Sequence, residues 1–225
     1  MVRGQYIGTL LATLWKTTAC NRFSMHPFFQ EIKAYPGLHA ICRTDLLQLP
    51  QPYTGIRPVK AILLGADPTN DGIKSDKCLK LLDYVFGINS PYEKHFFGPQ
   101  LINLQSIGLE KDQLYIQNVC RNYFREQTSG NKHWEQVAEI WLPYLRVELK
   151  TLPREIPVLV TAEKIMKVLV PEAPKADTIY NLGCISPFYS KEITRKVFAL
   201  YRHPRYLLTG NWKVYKEHLS KELGT

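Results

Sequence analysis

The sequence predicts an α/β protein in which three layers, α/β/α, form around a four-stranded parallel central sheet. Short, nearly continuous apolar runs alternate with segments that have helical apolar spacing, and polar residues follow each run directly. Continuous apolarity is typical of strands that are covered on both faces, as in a parallel sheet. The alternation of strands and helices favours helices packed on both faces of that sheet.

The predicted strands are the four apolar runs, and the predicted helices lie between and after them. The strands are 59–65, 114–119, 156–162 and 196–201. The helices are 75–86, 94–108, 131–152, 162–170 and 211–223. The third helix is the longest, and its aromatic and aliphatic residues recur at the spacing of one helix face.

The chain of 225 residues contains no repeat or linker, which predicts a single domain. Met25 is a natural starting point, so we expect a domain over 25–225 and a possible extension outside the fold over 1–24. The apolar stretch within that extension is too short to span a bilayer, and we expect no membrane partner.

The cysteines, Cys20, Cys42, Cys78, Cys120 and Cys184, lie far apart and form no C-x-x-C pair. This pattern favours neither a zinc site nor a disulfide framework, although spacing alone leaves an iron–sulfur cluster open. We expect reduced, mostly buried thiols in a cytoplasmic protein.

The chain is basic, with 29 Lys and Arg against 20 Asp and Glu, a net charge of +9 and a pI near 9.3. Such an excess favours polyanionic partners, nucleic acid before membrane. The 45% of apolar residues excludes a disordered chain.

Polar residues follow each predicted strand where ligands bind in open parallel sheets, beyond the carboxyl ends of the strands. They are Gly65-Ala66-Asp67-Pro68 after the first strand, Asn118 with Arg121 and Arg125 at the second, Thr161-Ala162-Glu163 at the third, and Arg202, His203, Arg205 and Tyr206 at the fourth. We expect one rim that combines a carboxylate, a carboxamide, an imidazole, arginines and aromatic rings.

Each of these residues also has a purely structural interpretation. Asp67 is suited to capping a turn, and Asn118 to satisfying loop backbone groups. His203 before a proline is suited to a surface turn, and Glu163 is assigned to the start of a helix, where a carboxylate is favourable. The arginines could be plain solvated charges, although they flank the same rim and have no nearby acidic partners in sequence. Phe86 could be a core residue on an apolar helix face.

From Val59 to its C-terminus the chain resembles the uracil-DNA glycosylase superfamily. The motifs are LLGADPTN, LYIQNVCRNYF, FALYRHPRY and DYVFGI. LLGADPTN is similar to the family's first strand with Gly-x-Asp-Pro, LYIQN to the strand that ends in a base-reading Asn, and FALYRHP to the late strand that ends in His-Pro. DYVFGI lies where the family has a Phe that stacks on the flipped base.

The resemblance implies a DNA glycosylase that hydrolyses the N-glycosidic bond of uracil or a related deaminated base during base excision repair. It implies catalytic roles for Asp67 and His203, and a base-binding role for Asn118, Phe86, Gly65 and Ala66. We assign DNA binding to Arg121, Arg125, Arg202, Arg205 and Tyr206. The expected protein is a monomer that acts on DNA with a modified base and requires no metal or organic cofactor.

The chain departs from the family pattern in two motifs. Thr69-Asn70 stands where the family usually has Tyr-His, and Arg205-Tyr206-Leu207 where it usually has Ser and an apolar wedge residue. These departures favour an alternative, a non-catalytic nucleic-acid or nucleotide-binding member of the same fold. A further alternative is an α/β hydrolase that acts on a small nucleoside.

Overall fold

The computed structural model describes residues 26–69, 79–181 and 187–225. The predicted extension over 1–24, Asn70, Cys20, Cys78 and Cys184 lie outside these ranges. Among the described residues, no helix is long and apolar enough to cross a membrane.

The described ranges contain helices at the predicted segments 94–108, 131–152, 162–170 and 211–223, together with three short helices that were not predicted. The α-helices are α1 (Phe28–Glu31), α2 (Pro36–Ile41), α3 (Glu93–Phe96), α4 (Gly98–Ser106), α5 (Trp134–Leu149), α6 (Glu163–Leu169), α7 (Ala176–Asn181) and α8 (Lys213–Leu223). The strands are β1 (Tyr53–Thr54), β2 (Ala61–Gly65), β3 (Leu114–Asn118), β4 (Val158–Val160), β5 (Phe188–Ser190) and β6 (Arg195–Ala199).

The strands form one six-stranded mixed sheet in the order β1-β3-β2-β4-β6-β5. β3, β2, β4 and β6 pair in parallel, whereas β1 and β5 pair antiparallel at the two edges. The α/β class is confirmed, but the sheet has six strands rather than the predicted four. Both missed strands are only two or three residues long and partly exposed, so they produce no apolar run that sequence periodicity detects.

The central strands and α5 provide much of the core. Every residue of β2 and of β3 is buried, as expected for strands with both faces covered. α5 contributes two fully buried indoles, Trp134 and Trp141, and continues through Pro143. The segment predicted as one helix over 94–108 is divided at Phe97 into α3 and α4.

The helix predicted over 75–86 is wrong in its described part, where residues 79–84 form no helix. Backbone groups of this segment bond to distant parts of the chain instead. The Leu82 N–H donates to the Tyr123 hydroxyl at 2.8 Å, and the Val85 N–H donates to the Gln51 carbonyl at 3.0 Å. These long-range bonds override an apolar pattern that resembles one face of a helix.

A buried arginine joins the end of α5 to the sheet. The guanidinium of Arg195, in β6, donates to the carbonyls of Leu149, Leu152, Pro153 and Ile156. Leu149 is the last residue of α5, whose carbonyl has no partner within the helix, and the other three carbonyls belong to the loop that follows it. This contact fixes α5 relative to β6, and α5 carries one of the residues that contact the candidate site.

We predict that Arg195→Met lowers the free energy of unfolding by about 3 kcal/mol, because several buried carbonyls lose a charged donor. Urea denaturation followed by circular dichroism measures the loss. The matched control is Lys196→Met, because Lys196 is the next residue, is half exposed and makes only a surface ion pair with Glu222 at 3.3 Å. That variant is expected to change stability by less than about 1 kcal/mol. Equal effects of the two substitutions would contradict the role of Arg195.

Candidate active site

A pocket with a volume of about 370 Å³ opens at the carboxyl ends of the parallel strands. It lies where β2 has β3 on one side and β4 on the other, the position at which open α/β sheets bind ligands. Its lining comes from the segments that follow the strands and from two neighbouring segments. The lining residues are Ala66, Asp67, Pro68, Thr69, Leu82, Phe86, His95, Phe96, Asn118, Gln127, Thr128, Ser129, Thr161, Ala162 and Arg202.

The carboxylate of Asp67, directly after β2, accepts three hydrogen bonds. Oδ1 accepts from the backbone N–H of Thr69 at 2.9 Å, which closes a local turn. Oδ2 accepts from the hydroxyl of Thr128 at 2.7 Å and from the indole Nε1–H of Trp134 at 2.9 Å. We call these four residues the Asp67 cluster. Asp67 therefore does act as a turn cap, and it also faces the pocket.

Burial raises the pKa of the Asp67 carboxyl above its usual value, and the hydrogen bonds from Thr69, Thr128 and Trp134 oppose this rise. Hydrogen bonds to the charged form keep a buried carboxylate ionised at a pH where it would otherwise be protonated. A process that requires ionised Asp67 should slow as the pH falls through this raised pKa.

Asn118 and Phe86 meet at the end of β2. Asn118 is the last residue of β3, is 3% exposed and stands opposite Gly65 in the parallel register. A Cβ on Gly65 would collide with Oδ1 of Asn118 and would lie 2.6 Å from Cζ of Phe86. Gly65 is required here because both side chains pack directly against its backbone.

The backbone of Phe86 has an unusual conformation for a bulky residue. Its φ is 56°, in the left-handed region, within the short 3₁₀ turn Val85–Gly87. Such conformations are unfavourable for side chains with a Cβ, and they concentrate at binding sites. Phe86 therefore lies not on the predicted helix face but on a turn that presents its ring to the pocket.

Arg202 lines the pocket after β6, whereas His203 does not. The backbone N–H of Arg202 donates to the carbonyl of Thr161 at 3.1 Å, so the segment after β6 is fixed beside the end of β4. His203 is exposed, and its Nδ1 accepts from the backbone N–H of Arg205 at 3.2 Å. An accepting Nδ1 in a neutral imidazole leaves the hydrogen on Nε2. His203 thus has an Nε2–H donor that lies at the same edge of the sheet as the pocket but outside the pocket lining.

The predicted set of rim arginines requires a correction at Arg121. Arg121 is 3% exposed, and its guanidinium forms an ion pair with Glu148 at 3.0 Å and donates to the Pro50 carbonyl at 3.2 Å. Arg121 is therefore a buried structural residue and not part of a positive surface. Its partner Glu148 lies in α5, far from Arg121 in the sequence, so the sequence alone does not reveal this ion pair.

Arg125 and Arg205 are exposed as expected, but each has a contact within the protein. Arg125 donates to the Ala40 carbonyl at 3.0 Å. Arg205 pairs with Asp177 at 2.8 Å, and the Tyr206 hydroxyl donates to the same carboxylate at 2.6 Å. Arg205 has no acidic neighbour in the sequence, but the fold brings Asp177 to it from a distant segment.

Several residues at the pocket carry no signal in the sequence. His95 and Phe96 belong to α3, and Gln127–Ser129 precede α5. Trp134 fits the pattern of an apolar helix face in the sequence. That pattern gives no indication that its indole N–H donates a hydrogen bond to Asp67. Thr161 and Ala162, by contrast, stand at the end of the third predicted strand, where the sequence does indicate a position at the rim.

The described thiols, Cys42 and Cys120, are both buried and form no disulfide. Burial raises the pKa of the Cys42 thiol to about 12 and also raises that of Cys120. In the part of the chain that the structure describes, no group of three His, Cys, Asp or Glu residues is arranged to hold a metal ion.

Comparison of the chain with known proteins gives no match to any protein-family model or curated protein. The geometry of the pocket and the chemistry of its residues therefore carry the functional argument.

We predict that Gly65→Ala disrupts the pocket, because the new Cβ must displace both Asn118 and Phe86. The expected loss in the free energy of unfolding is about 1–3 kcal/mol, as for other overpacked sites. Thermal denaturation measures this loss, and the intrinsic fluorescence of the folded variant tests for repacking. Gly98→Ala is the control, since a Cβ on Gly98 meets no atom within 4 Å and its position at the start of α4 favours alanine. Equal stability of the two variants would show that Asn118 and Phe86 do not pack tightly against the backbone of Gly65.

Proposed function

We propose that the protein is a DNA glycosylase that hydrolyses the N-glycosidic bond of uracil or a related deaminated base. The observation that carries the proposal is the presence of Asp67, Asn118 and Phe86 in one pocket at the carboxyl ends of the strands. These are a carboxylate, a base-reading amide and an aromatic ring, drawn from three separate segments. The proposal includes a monomeric, three-layer glycosylase-like fold that acts on DNA in base excision repair.

The proposed reaction begins when a nucleotide leaves the base stack and enters the pocket, because the bond to be broken is not accessible in stacked DNA. Cleavage develops positive charge on the sugar and negative charge on the departing base. Ionised Asp67 stabilises the sugar cation and orients the attacking water. Oδ1 accepts the Thr69 N–H and Oδ2 accepts the other two donors, so Oδ1 is the oxygen assigned to that water, beside the Thr69 hydroxyl.

The base is held by Asn118 and Phe86. The Asn118 amide offers both a donor and acceptors to the Watson–Crick edge of a pyrimidine. The Phe86 ring stacks on the base, a contact that contributes about 1–3 kcal/mol in single-stranded nucleic-acid binding. Thr69, whose hydroxyl accepts from the Phe124 N–H at 2.9 Å, is a small residue on the same wall.

The leaving group and the phosphates are assigned to the segment after β6. His203 donates through Nε2–H to the departing base once DNA closes over the pocket mouth, and such a preorganised donor contributes about 3–4 kcal/mol. Arg202, which lines the pocket, contacts a phosphate that flanks the flipped nucleotide. Arg125, Arg205 and Tyr206 extend this surface, and Arg205 first has to separate from Asp177.

A second candidate is a non-catalytic nucleic-acid or nucleotide-binding protein with the same pocket. Two observations favour it. His203 lies outside the lining, and the Asp67 carboxylate already has three donors. Both candidates use Phe86 and Arg202 to bind, so only a measurement of bond cleavage separates them.

The test is incubation of the protein with oligonucleotides that carry uracil, hypoxanthine, xanthine or a mismatched thymine, followed by alkaline cleavage of abasic sites. We expect cleavage of uracil-containing DNA, with a rate that falls at acidic pH as Asp67 becomes protonated. The control is Asp67→Asn, which should lower the single-turnover rate by orders of magnitude. Binding without cleavage on every substrate would favour the second candidate.

Asp67→Asn also has a structural cost that has to be measured separately. With its carbonyl oxygen on the Thr69 N–H, the new amide NH₂ faces the indole N–H of Trp134, and both groups are donors. We therefore expect Asp67→Asn to lower the melting temperature, and rates should be compared at temperatures where each variant is folded.

We predict that Arg202→Ala weakens binding of uracil-containing DNA and reduces the slope of log K against log salt concentration by about one unit. Fluorescence anisotropy over a range of salt concentrations gives both quantities. Lys60→Ala is the control, because this exposed residue directly precedes β2 and so lies at the opposite edge of the sheet. A similar decrease in slope for both variants would mean that binding follows net charge and not the pocket.

A further inference from the structure

We propose that Trp134 and Thr128 are positioning residues that orient the Asp67 carboxylate for reaction. This inference rests on the proposed function. Trp134 is not among the residues that line the pocket, so it acts on the reaction only through Asp67. The observation is that both donors bind the same oxygen, Oδ2, from segments outside the loop that carries Asp67.

The direction of the carboxylate follows from the distribution of its hydrogen bonds. Thr128 and Trp134 occupy Oδ2, whereas the Thr69 N–H binds Oδ1 and the Thr69 hydroxyl also interacts with the carboxylate. A carboxylate has about four acceptor positions, two on each oxygen, so these two donors fill Oδ2. Rotation of the carboxylate about its Cβ–Cγ bond would break the bonds to both side chains. The two donors therefore determine which oxygen is left for water.

Each donor is itself rigidly held. Trp134 is the first residue of α5 and is 0% exposed, so its indole has no alternative solvent-exposed orientation. Thr128 belongs to the loop before α5, and the Lys164 ammonium donates to the carbonyls of Thr128 and Asn131 at 2.7 Å each. The loop and the helix start are thus fixed to α6 before any substrate enters.

The hydrogen bonds also act on the ionisation of Asp67. Burial favours the neutral carboxyl, and these donors favour the charged form. Among the residues that the structure describes, the titratable or charged groups near Asp67 include the buried thiols of Cys42 and Cys120, the pocket residues His95 and Arg202, and Lys164, whose ammonium binds the Thr128 carbonyl. None of these forms a hydrogen bond with the carboxylate among the described contacts. Loss of the Trp134 or Thr128 donor should therefore raise the pKa of Asp67 further.

The test uses Trp134→Phe, which removes the N–H and keeps an aromatic ring, and Thr128→Val, which removes the hydroxyl at nearly constant shape. We expect each to lower the single-turnover rate at neutral pH about tenfold or more, the effect of one hydrogen bond to a charged group. The acid limb of the pH–rate profile should move to higher pH. Part of the lost rate should return at high pH, where Asp67 of the variant is ionised again. Affinity for uncleaved substrate should change little.

The matched control is Trp141→Phe. Trp141 is a second buried tryptophan of α5, and its N–H donates to Oδ1 of Asn122 at 2.7 Å instead of to Asp67. Its loss should lower the melting temperature but leave the pH–rate profile in place. If Trp134→Phe and Trp141→Phe have the same rate and the same acid limb, Trp134 is only a core residue and the inference is overturned.

A measurement without turnover separates this inference from the proposed function. The protein is labelled with ¹³C at the Asp carboxyl carbons, and the Asp67 signal is identified by its loss in Asp67→Asn. NMR titration should give a higher Asp67 pKa in Trp134→Phe and Thr128→Val than in the wild type and Trp141→Phe. Equal titration in all four proteins overturns the inference. If the wild type cleaves no substrate, the proposed function fails, and the titration still decides whether the two donors control Asp67.

Discussion

The hydrogen bonding of the Asp67 carboxylate is the interaction on which the arrangement of this pocket depends. Through it, the end of β2 is joined to the loop that contains Thr128 and to the first residue of α5. α5 is in turn fixed to β6 by Arg195. The position of this carboxylate is thus fixed by contacts from its own turn, from the loop before α5 and from α5 itself.

The same strand end imposes a second constraint, the absence of a side chain at Gly65. Asn118 and Phe86 both occupy the space that a Cβ would fill, and the backbone at Phe86 adopts a left-handed conformation to reach it. A strained residue persists only where surrounding contacts determine its conformation. Here the contacts of Tyr123 and Gln51 with the preceding segment provide that restraint.

The sequence predicts the parts of the fold and site that depend on local patterns. The long apolar runs identify the central strands, so Asp67 and Asn118, which stand at the carboxyl ends of two of them, could be assigned to one edge of the sheet. The edge strands and the turn at Phe86 depend on backbone pairing between distant segments, which no local pattern encodes. Arg121 was misassigned for a related reason, because its charge is matched by Glu148 from another element.

Turn capping and catalysis are not mutually exclusive roles for Asp67. The carboxylate caps its turn through Oδ1 and faces the pocket as well. The central claim is that it serves a hydrolysis at the sugar of a flipped nucleotide. The direct measurement is incubation with uracil-containing single-stranded DNA in H₂¹⁸O, followed by mass spectrometry of the products. The account predicts free, unlabelled uracil and an abasic sugar that carries one ¹⁸O atom. Bound DNA without release of any base would contradict it.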